Sequence, residues 1–225
     1  MTIGLRILRR KRCVDKATVE VFRTVPVANA SDVMSRMTAG GPRLRPMHAG
    51  GVMSGPALTV KTRPGDNLMI HKALMLAVPG DIIVVDAGGD LTNALFGEIM
   101  SSEAVAAGVA GLVINGAIRD ADAIRSAPLP IFAAGVTHRG PYKDGPGEIN
   151  VPIAFDGMVI EPGDLMLGDG DGVLCIPFAE TETVLQAARK KQVEEEHAMA
   201  AIRGGTRTKA WVDQTLERLG CTIEP

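Results

Sequence analysis

Three features of the chain predict an α/β fold built on a mainly parallel sheet. Short apolar runs alternate with helical patterns from Ala57 to Ala134. Hydrophobic residues make up 46% but aromatic ones only 3%, so Val, Ile, Leu, Ala and Met must fill the core. Pro-Gly-Asp recurs at Pro64, Pro79 and Pro162, the last two directly before apolar runs. Aliphatic interiors suit β-branched strands under Ala- and Leu-rich helices, and strand-helix alternation implies right-handed crossovers. The 225 residues hold no polar low-complexity linker and read as one domain, 1–225.

Taken in order, Asp15 is expected to cap a helix through Val21, and Ser31 or Asp32 one through Met37, with Pro26 between them. Gly and Pro crowd 38–55, as in a long loop, and 57–62 alternates like a strand. Proline fixes φ and glycine supplies the unusual backbone angle, so each Pro-Gly-Asp is a tight turn. A helix over 67–78 follows the first, then a strand 82–86, a helix 91–107, a strand 111–115, a short helix 120–126 and a strand 130–134. Beyond Gly135 the short runs 151–155, 158–160, 165–167 and 173–176 predict antiparallel strands curling over the first sheet. A polar helix from about Ala179 to Arg203 ends at Gly204-Gly205.

A net charge of −2 gives no overall attraction to nucleic acid or an anionic membrane. No apolar run approaches the ~18 residues of a spanning helix, and no signal-peptide pattern opens the chain, which points to a cytoplasmic protein. Cys13, Cys175 and Cys221 are widely spaced and read as free thiols. Arg6, Arg9, Arg10, Lys11 and Arg12 form a basic cluster suited to a solvated or subunit-contact surface, or less readily to a polyanion. The G-x-G-x-x-G, P-loop and G-x-S-x-G patterns are all missing. Residues 168–172, Gly-Asp-Gly-Asp-Gly, lack later calcium ligands and predict a hairpin. His48, His71, His138 and His197 are scattered and read as structural or exposed.

Chemistry concentrates from Gly88-Gly89-Asp90 through Gly97-Glu98 to Arg119-Asp120. Turns after parallel strands lie at the carboxyl end of the sheet, where ligands of open α/β sheets bind, so these loops should share one rim. Arg119 offers a planar fork for a carboxylate. Asp120 can coordinate a hard divalent cation, and Glu98 can hold one of its waters. Neighbouring Arg and Asp also fit an ordinary surface ion pair.

Residues 79–90, 94–98, 108–120, 162–169 and 172–177 together resemble the family of 4-hydroxy-4-methyl-2-oxoglutarate aldolases and regulator-of-RNase-E-activity-A (RraA)-like proteins, over about residues 25–205. The resemblance implies a swivelling β/β/α fold of phosphohistidine-domain type with a long C-terminal helix. It also implies trimers or hexamers with sites between subunits, residues 179–225 packing on a neighbour. The family motif is an acidic residue, twenty intervening residues, then Arg-Asp; Glu98 and Arg119-Asp120 meet that spacing, with Glu where Asp is usual. Asn115-Gly116 stands where relatives often carry Asp-Gly, read here as a variation at a strand end.

By that resemblance, Arg119 and the backbone around Gly97, Glu98, Ile99 and Met100 bind a pyruvyl carboxylate, and Asp120 ligates Mg²⁺ or Mn²⁺. Glu195, within Glu194–Glu196, approaches from an adjacent subunit. The implied activity is a class II pyruvate aldolase acting on 4-hydroxy-4-methyl-2-oxoglutarate or 4-carboxy-4-hydroxy-2-oxoadipate, with oxaloacetate decarboxylation beside it. Arg119, Glu98 and Glu195 are the catalytic candidates, the two carboxylates holding a metal-associated water as base. Loops near Lys143 to Asn150 would read the distal group. The alternatives are an aldolase-like enzyme with another substrate, perhaps a sugar-acid derivative, and a non-catalytic regulator of an RNA-degrading endonuclease, although that branch usually lacks the acidic residue at the Glu98 position.

Overall fold

The computed structural model describes residues 3–222. In chain order the strands and helices are β1 (Leu5–Ile7), α1 (Lys16–Phe22), α2 (Val27–Val33), β2 (Arg45–Pro46), β3 (Met53–Thr62), α3 (Leu68–Leu76), β4 (Ile82–Asp86), β5 (Ala94–Phe96) and α4 (Glu98–Ala106). They continue with β6 (Gly111–Ile118), α5 (Ala121–Ser126), β7 (Ile131–Val136), β8 (Gly147–Ile149), β9 (Ile153–Phe155), β10 (Met158–Ile160), β11 (Leu165–Asp169), β12 (Gly172–Ile176), α6 (Thr181–Arg203) and α7 (Ala210–Arg218). Contacts divide the chain into two compact units, 1–188 and 189–225. The first is a mixed α/β body; α7 and residues 189–203 of α6 belong to the second.

Strands β3, β4, β6 and β7 run parallel in that order, as the alternation predicts. Strand β3 is long enough to serve two layers: Ala57 to Lys61 pair with β4, while Met53 to Pro56 pair with β11 antiparallel. The side-chain period of two explains the burial of β4. Its Ile83 and Val85 enter one apolar cluster with α3 and α4, while Ile82 and Val84 enter another with β9, β10 and β12. A third cluster packs α1, α2 and the start of α6, through Val184 and Ala188, on β11 and β12. Gly170-Asp171 closes the β11–β12 hairpin, as predicted for this glycine-rich segment.

Several boundaries depart from expectation. The helix expected from Ser31 or Asp32 to Met37 instead spans Val27–Val33 behind Pro26. Its first amide is held by the Asp169 carboxylate at 3.0 Å, a cap supplied from the hairpin rather than by a local side chain. The 38–55 loop is interrupted by β2 and by the first residues of β3. The helix expected over 91–107 begins only at Glu98, because Ala94 and Phe96 pair with Ala117 and Ile118 of β6; tertiary pairing overrides the helix propensity of that stretch. Strand β6 does not end at Asn115 but runs to Ile118. Asn115 is therefore mid-strand, accepting from Arg43 at 2.9 Å and donating to Asp86 at 3.0 Å.

The basic cluster is largely committed to structure. Arg6 pairs with Glu148, Arg10 with Asp81 at 2.6 Å, and Arg12 with Glu161 and Asp164. Asp81, Glu148 and Asp164 are buried, so these arginines strap the N-terminal segment to the body.

Candidate active site

Strand β6 is buried along its whole length and delivers Arg119 and Asp120 to its carboxyl end, where the Arg119 amide donates to Phe96 O at 2.9 Å. Asp120 stands at the N-cap of α5 with φ 56° and ψ 42°, a left-handed conformation that few non-glycine residues adopt. An Asp in this place ordinarily caps its own helix. Here it does not: Oδ2 instead accepts the Glu98 amide at 2.9 Å and lies 3.7 Å from Arg119 Nε. Backbone strain at a residue whose carboxylate is turned away from its own helix is a pointer to function.

Gly97 makes the arrangement possible. A Cβ on this residue would fall 2.5 Å from Asp120 Oδ2 and 3.1 Å from Arg119 Cγ. The next residues open α4, which has no side-chain cap, so the amides of Ile99 and Met100 lack intrahelical acceptors at the positive end of the helix dipole.

These elements surround a cavity of about 330 Å³. Arg119, Asp120, Gly97, Ile99 and Met100 form part of its wall, with Asn67 and His71 from the start of α3 and Gly140, Pro141 and Lys143 from the loop after β7. The buried Asp66 carboxylate ties the last two elements together, accepting from the amides of Leu68 at 3.0 Å, Asp144 at 2.7 Å and Gly145 at 2.8 Å. A second hollow of about 250 Å³, lined by Val136, Thr137 and His138, adjoins the same Arg119-Asp120 pair.

The structure thus brings Gly97, Ile99, Met100, Arg119 and Asp120 to one cavity. Glu98 touches the group through its backbone, while its side chain is exposed and not part of the cavity wall. Gly88-Gly89-Asp90 is likewise outside that wall: Asp90 holds the Thr92 hydroxyl at 2.8 Å, and Gly89 lies against the Arg43 guanidinium. Glu195 is an exposed residue of the second unit, 3.5 Å from Lys191, between exposed Glu194 and Glu196.

Sequence reasoning did not single out Asn67, and it set His71 aside. The available signal was their spacing of four across the start of α3, where Asn67 is the N-cap and His71 lies one turn on.

Among the described residues no three His, Cys, Asp or Glu side chains converge as a metal cage. An ion with Asp120 as its protein ligand would keep waters or substrate oxygens in its other positions, a pattern that suits Mg²⁺. No cysteine lines this cavity, and burial pushes the Cys13 and Cys175 thiols above their ordinary range. No helix of the described residues is long and apolar enough to cross a membrane.

Together the sheet and the rim cavity define an α/β protein with a polar cavity at the carboxyl edge of its parallel strands. The chain belongs to the RraA-like family, whose Aldolase/RraA description matches residues 27–175. A relative from Halalkalibacterium halodurans, provisionally named 4-hydroxy-4-methyl-2-oxoglutarate aldolase, is 44% identical over 181 residues, 80% of this chain and 86% of its own length. A Thermus thermophilus protein with the same aldolase name is 37% identical over 112 residues, half of this chain and 68% of that one. Among solved structures, Streptomyces coelicolor RraAS2, described as an unusual member of the RNase ES inhibitor RraA protein family, superposes with a TM-score of 0.76. It is 26% identical, and the match covers 84% of this chain and 98% of that one.

Proposed function

We propose that the protein is a divalent-metal-dependent pyruvate aldolase. It cleaves 4-hydroxy-4-methyl-2-oxoglutarate or 4-carboxy-4-hydroxy-2-oxoadipate type acids, and decarboxylates oxaloacetate as a side reaction. The observation that carries this reading is the Asp120 carboxylate, turned off its own helix and held between the Glu98 amide and Arg119 at the cavity.

Asp120 would hold Mg²⁺ or Mn²⁺, whose Lewis acidity draws electron density from the C2 ketone of a bound 2-oxo acid. Arg119 pairs with the C1 carboxylate, helped by the Ile99 and Met100 amides at the helix N-terminus. The C4 hydroxyl gives up its proton as C4 becomes a carbonyl. The C3–C4 bond breaks, and its electron pair passes into the pyruvate enolate, whose charge Arg119 faces. Protonation at C3 then yields pyruvate. Loss of CO₂ from oxaloacetate leaves the same enolate. Glu98 orders the water that takes the hydroxyl proton, together with Glu195 of a neighbouring subunit.

In this reading residues 1–225 work as one functional domain in cytoplasmic trimers or hexamers, with 179–225 against the next subunit. The two aldolase-named relatives support the lyase class. The RraAS2 likeness favours a second reading, a surface that restrains an RNA-degrading endonuclease. A coupled pyruvate assay across a panel of 2-oxo-4-hydroxy acids, with Mg²⁺ or Mn²⁺ and then a chelator, tests the first. Turnover that the chelator abolishes supports it; no turnover, together with capture of an RNase E-type endonuclease, favours the second.

A further inference from the structure

The loop after β7 puts Gly140, Pro141 and Lys143 in the cavity wall, and its two ends are anchored differently. At the front, the Tyr142 amide donates to Gly65 O at 2.8 Å. At the back, the Asp66 carboxylate holds the Asp144 and Gly145 amides, and directly after Pro146 the chain becomes β8. This strand has three residues, with β3 along one edge and β1 along the other. The β1 side runs parallel in the register Leu5 to Gly147, Arg6 to Glu148 and Ile7 to Ile149. The Leu8 amide on Ile149 O at 3.0 Å and Asn150 Nδ2 on Leu8 O at 2.9 Å extend the join. In the middle of this ladder Arg6 Nε donates to the Glu148 carboxylate, and Glu148 is 6% exposed. A carboxylate so buried, once its cation is removed, must shift toward water or stay unpaired at a large cost. A three-residue strand is the element that yields.

We propose that Arg6 is a positioning residue for the cavity: through Glu148 and β8 it fixes the back of the loop, and with it the place of Lys143, the wall cation suited to a distal carboxylate of the substrate. The role given to Lys143 rests on the aldolase reading. The family match starts at residue 27, so this support comes from a segment that precedes it. Arg10 supplies the contrast within the same strap. Its partner Asp81 holds the Val78 amide at 3.0 Å in the turn before β4, at the end of the parallel strands away from the cavity.

The test compares Arg6→Met with Arg10→Ala. Hydrogen exchange of the Asp144 and Gly145 amides, measured against the β4 amides that report global opening, reads the loop without any turnover. Arg6→Met should raise that ratio about tenfold and Arg10→Ala should leave it unchanged, since a local opening need not follow global stability. For 4-carboxy-4-hydroxy-2-oxoadipate, Arg6→Met should also raise KM about tenfold, the scale of one charge-assisted hydrogen bond. Its kcat should stay within about twofold, the pattern of lost uniform binding. An unchanged exchange ratio in Arg6→Met, an equal rise in both variants, or an unaltered KM would overturn the assignment. Should Arg6→Met not fold, Arg6→Gln, which shortens and discharges the clasp, decides by the same ratio. An unaltered protein that turns over no substrate would end the aldolase reading, while the exchange ratio would still decide whether Arg6 sets the loop.

Discussion

The N-terminal strap and the rim of the sheet both set arginine beside acid, and they are built in opposite ways. In the strap, Arg10 meets Asp81 at 2.6 Å and Arg12 meets Asp164 at 3.2 Å, with both carboxylates at 3% exposure or less. At the rim, Arg119 and Asp120 stand 3.7 Å apart, their side chains 43% and 40% exposed. A charge already desolvated and closely paired has little left to offer a ligand. A half-exposed pair gains little stability from its own contact, so both members stay available to a third body. The number of arginines in a stretch therefore says less than what each one faces.

The largest effect that would sharpen this contrast is at the rim. Arg119→Ala should lower pyruvate release by about 10²–10³-fold, the scale of removing one preorganised donor, with the denaturation midpoint nearly unchanged. Gly97→Ala follows. Its new methyl must displace Asp120 Oδ2 from a 2.5 Å approach, and a misplacement near 1 Å can cost about 100-fold in rate; a kinetic assay on the folded variant reads this. The strap should respond in the reverse sense. Arg10→Ala strands Asp81, which is 2% exposed on its side chain, and should cost on the order of 3 kcal/mol in urea unfolding while leaving turnover per folded molecule alone.

The smallest effect is at α1. There the Thr18 amide and hydroxyl hold the Asp15 carboxyl below its ordinary value. A lowered folded value means a contribution present above the usual carboxylate range and lost as pH falls through the folded value. Asp15→Asn should remove that acid-dependent part, seen by comparing unfolding of the two proteins between neutral and acid pH.

Local rules were enough where neighbours in sequence set the structure. Strand β4 falls on residues 82–86 as predicted, Asp15 caps α1, and glycine takes positive φ in all three Pro-Gly-Asp turns. They were not enough where a distant partner decides. Asp169 caps α2 across 142 residues, and β6 pulls Ala94–Phe96 out of a helix-favouring run. The site divides the same way. Arg119 and Asp120 were legible because a residue following a parallel strand lies at the ligand-binding rim. Asn67 was not, since only the fold brings it to the wall, its nitrogen held by Leu95 O across 28 residues.

In the proposed function Asp120 and Arg119 form one cation-assisted site for a 2-oxo acid. Mn²⁺ binding followed by electron paramagnetic resonance, with and without pyruvate, tests it most directly in the unaltered protein, Asp120→Asn and Arg119→Ala. Asp120→Asn should abolish Mn²⁺ binding, and Arg119→Ala should keep the ion but lose its spectral response to pyruvate. Undiminished Mn²⁺ binding in Asp120→Asn would contradict it.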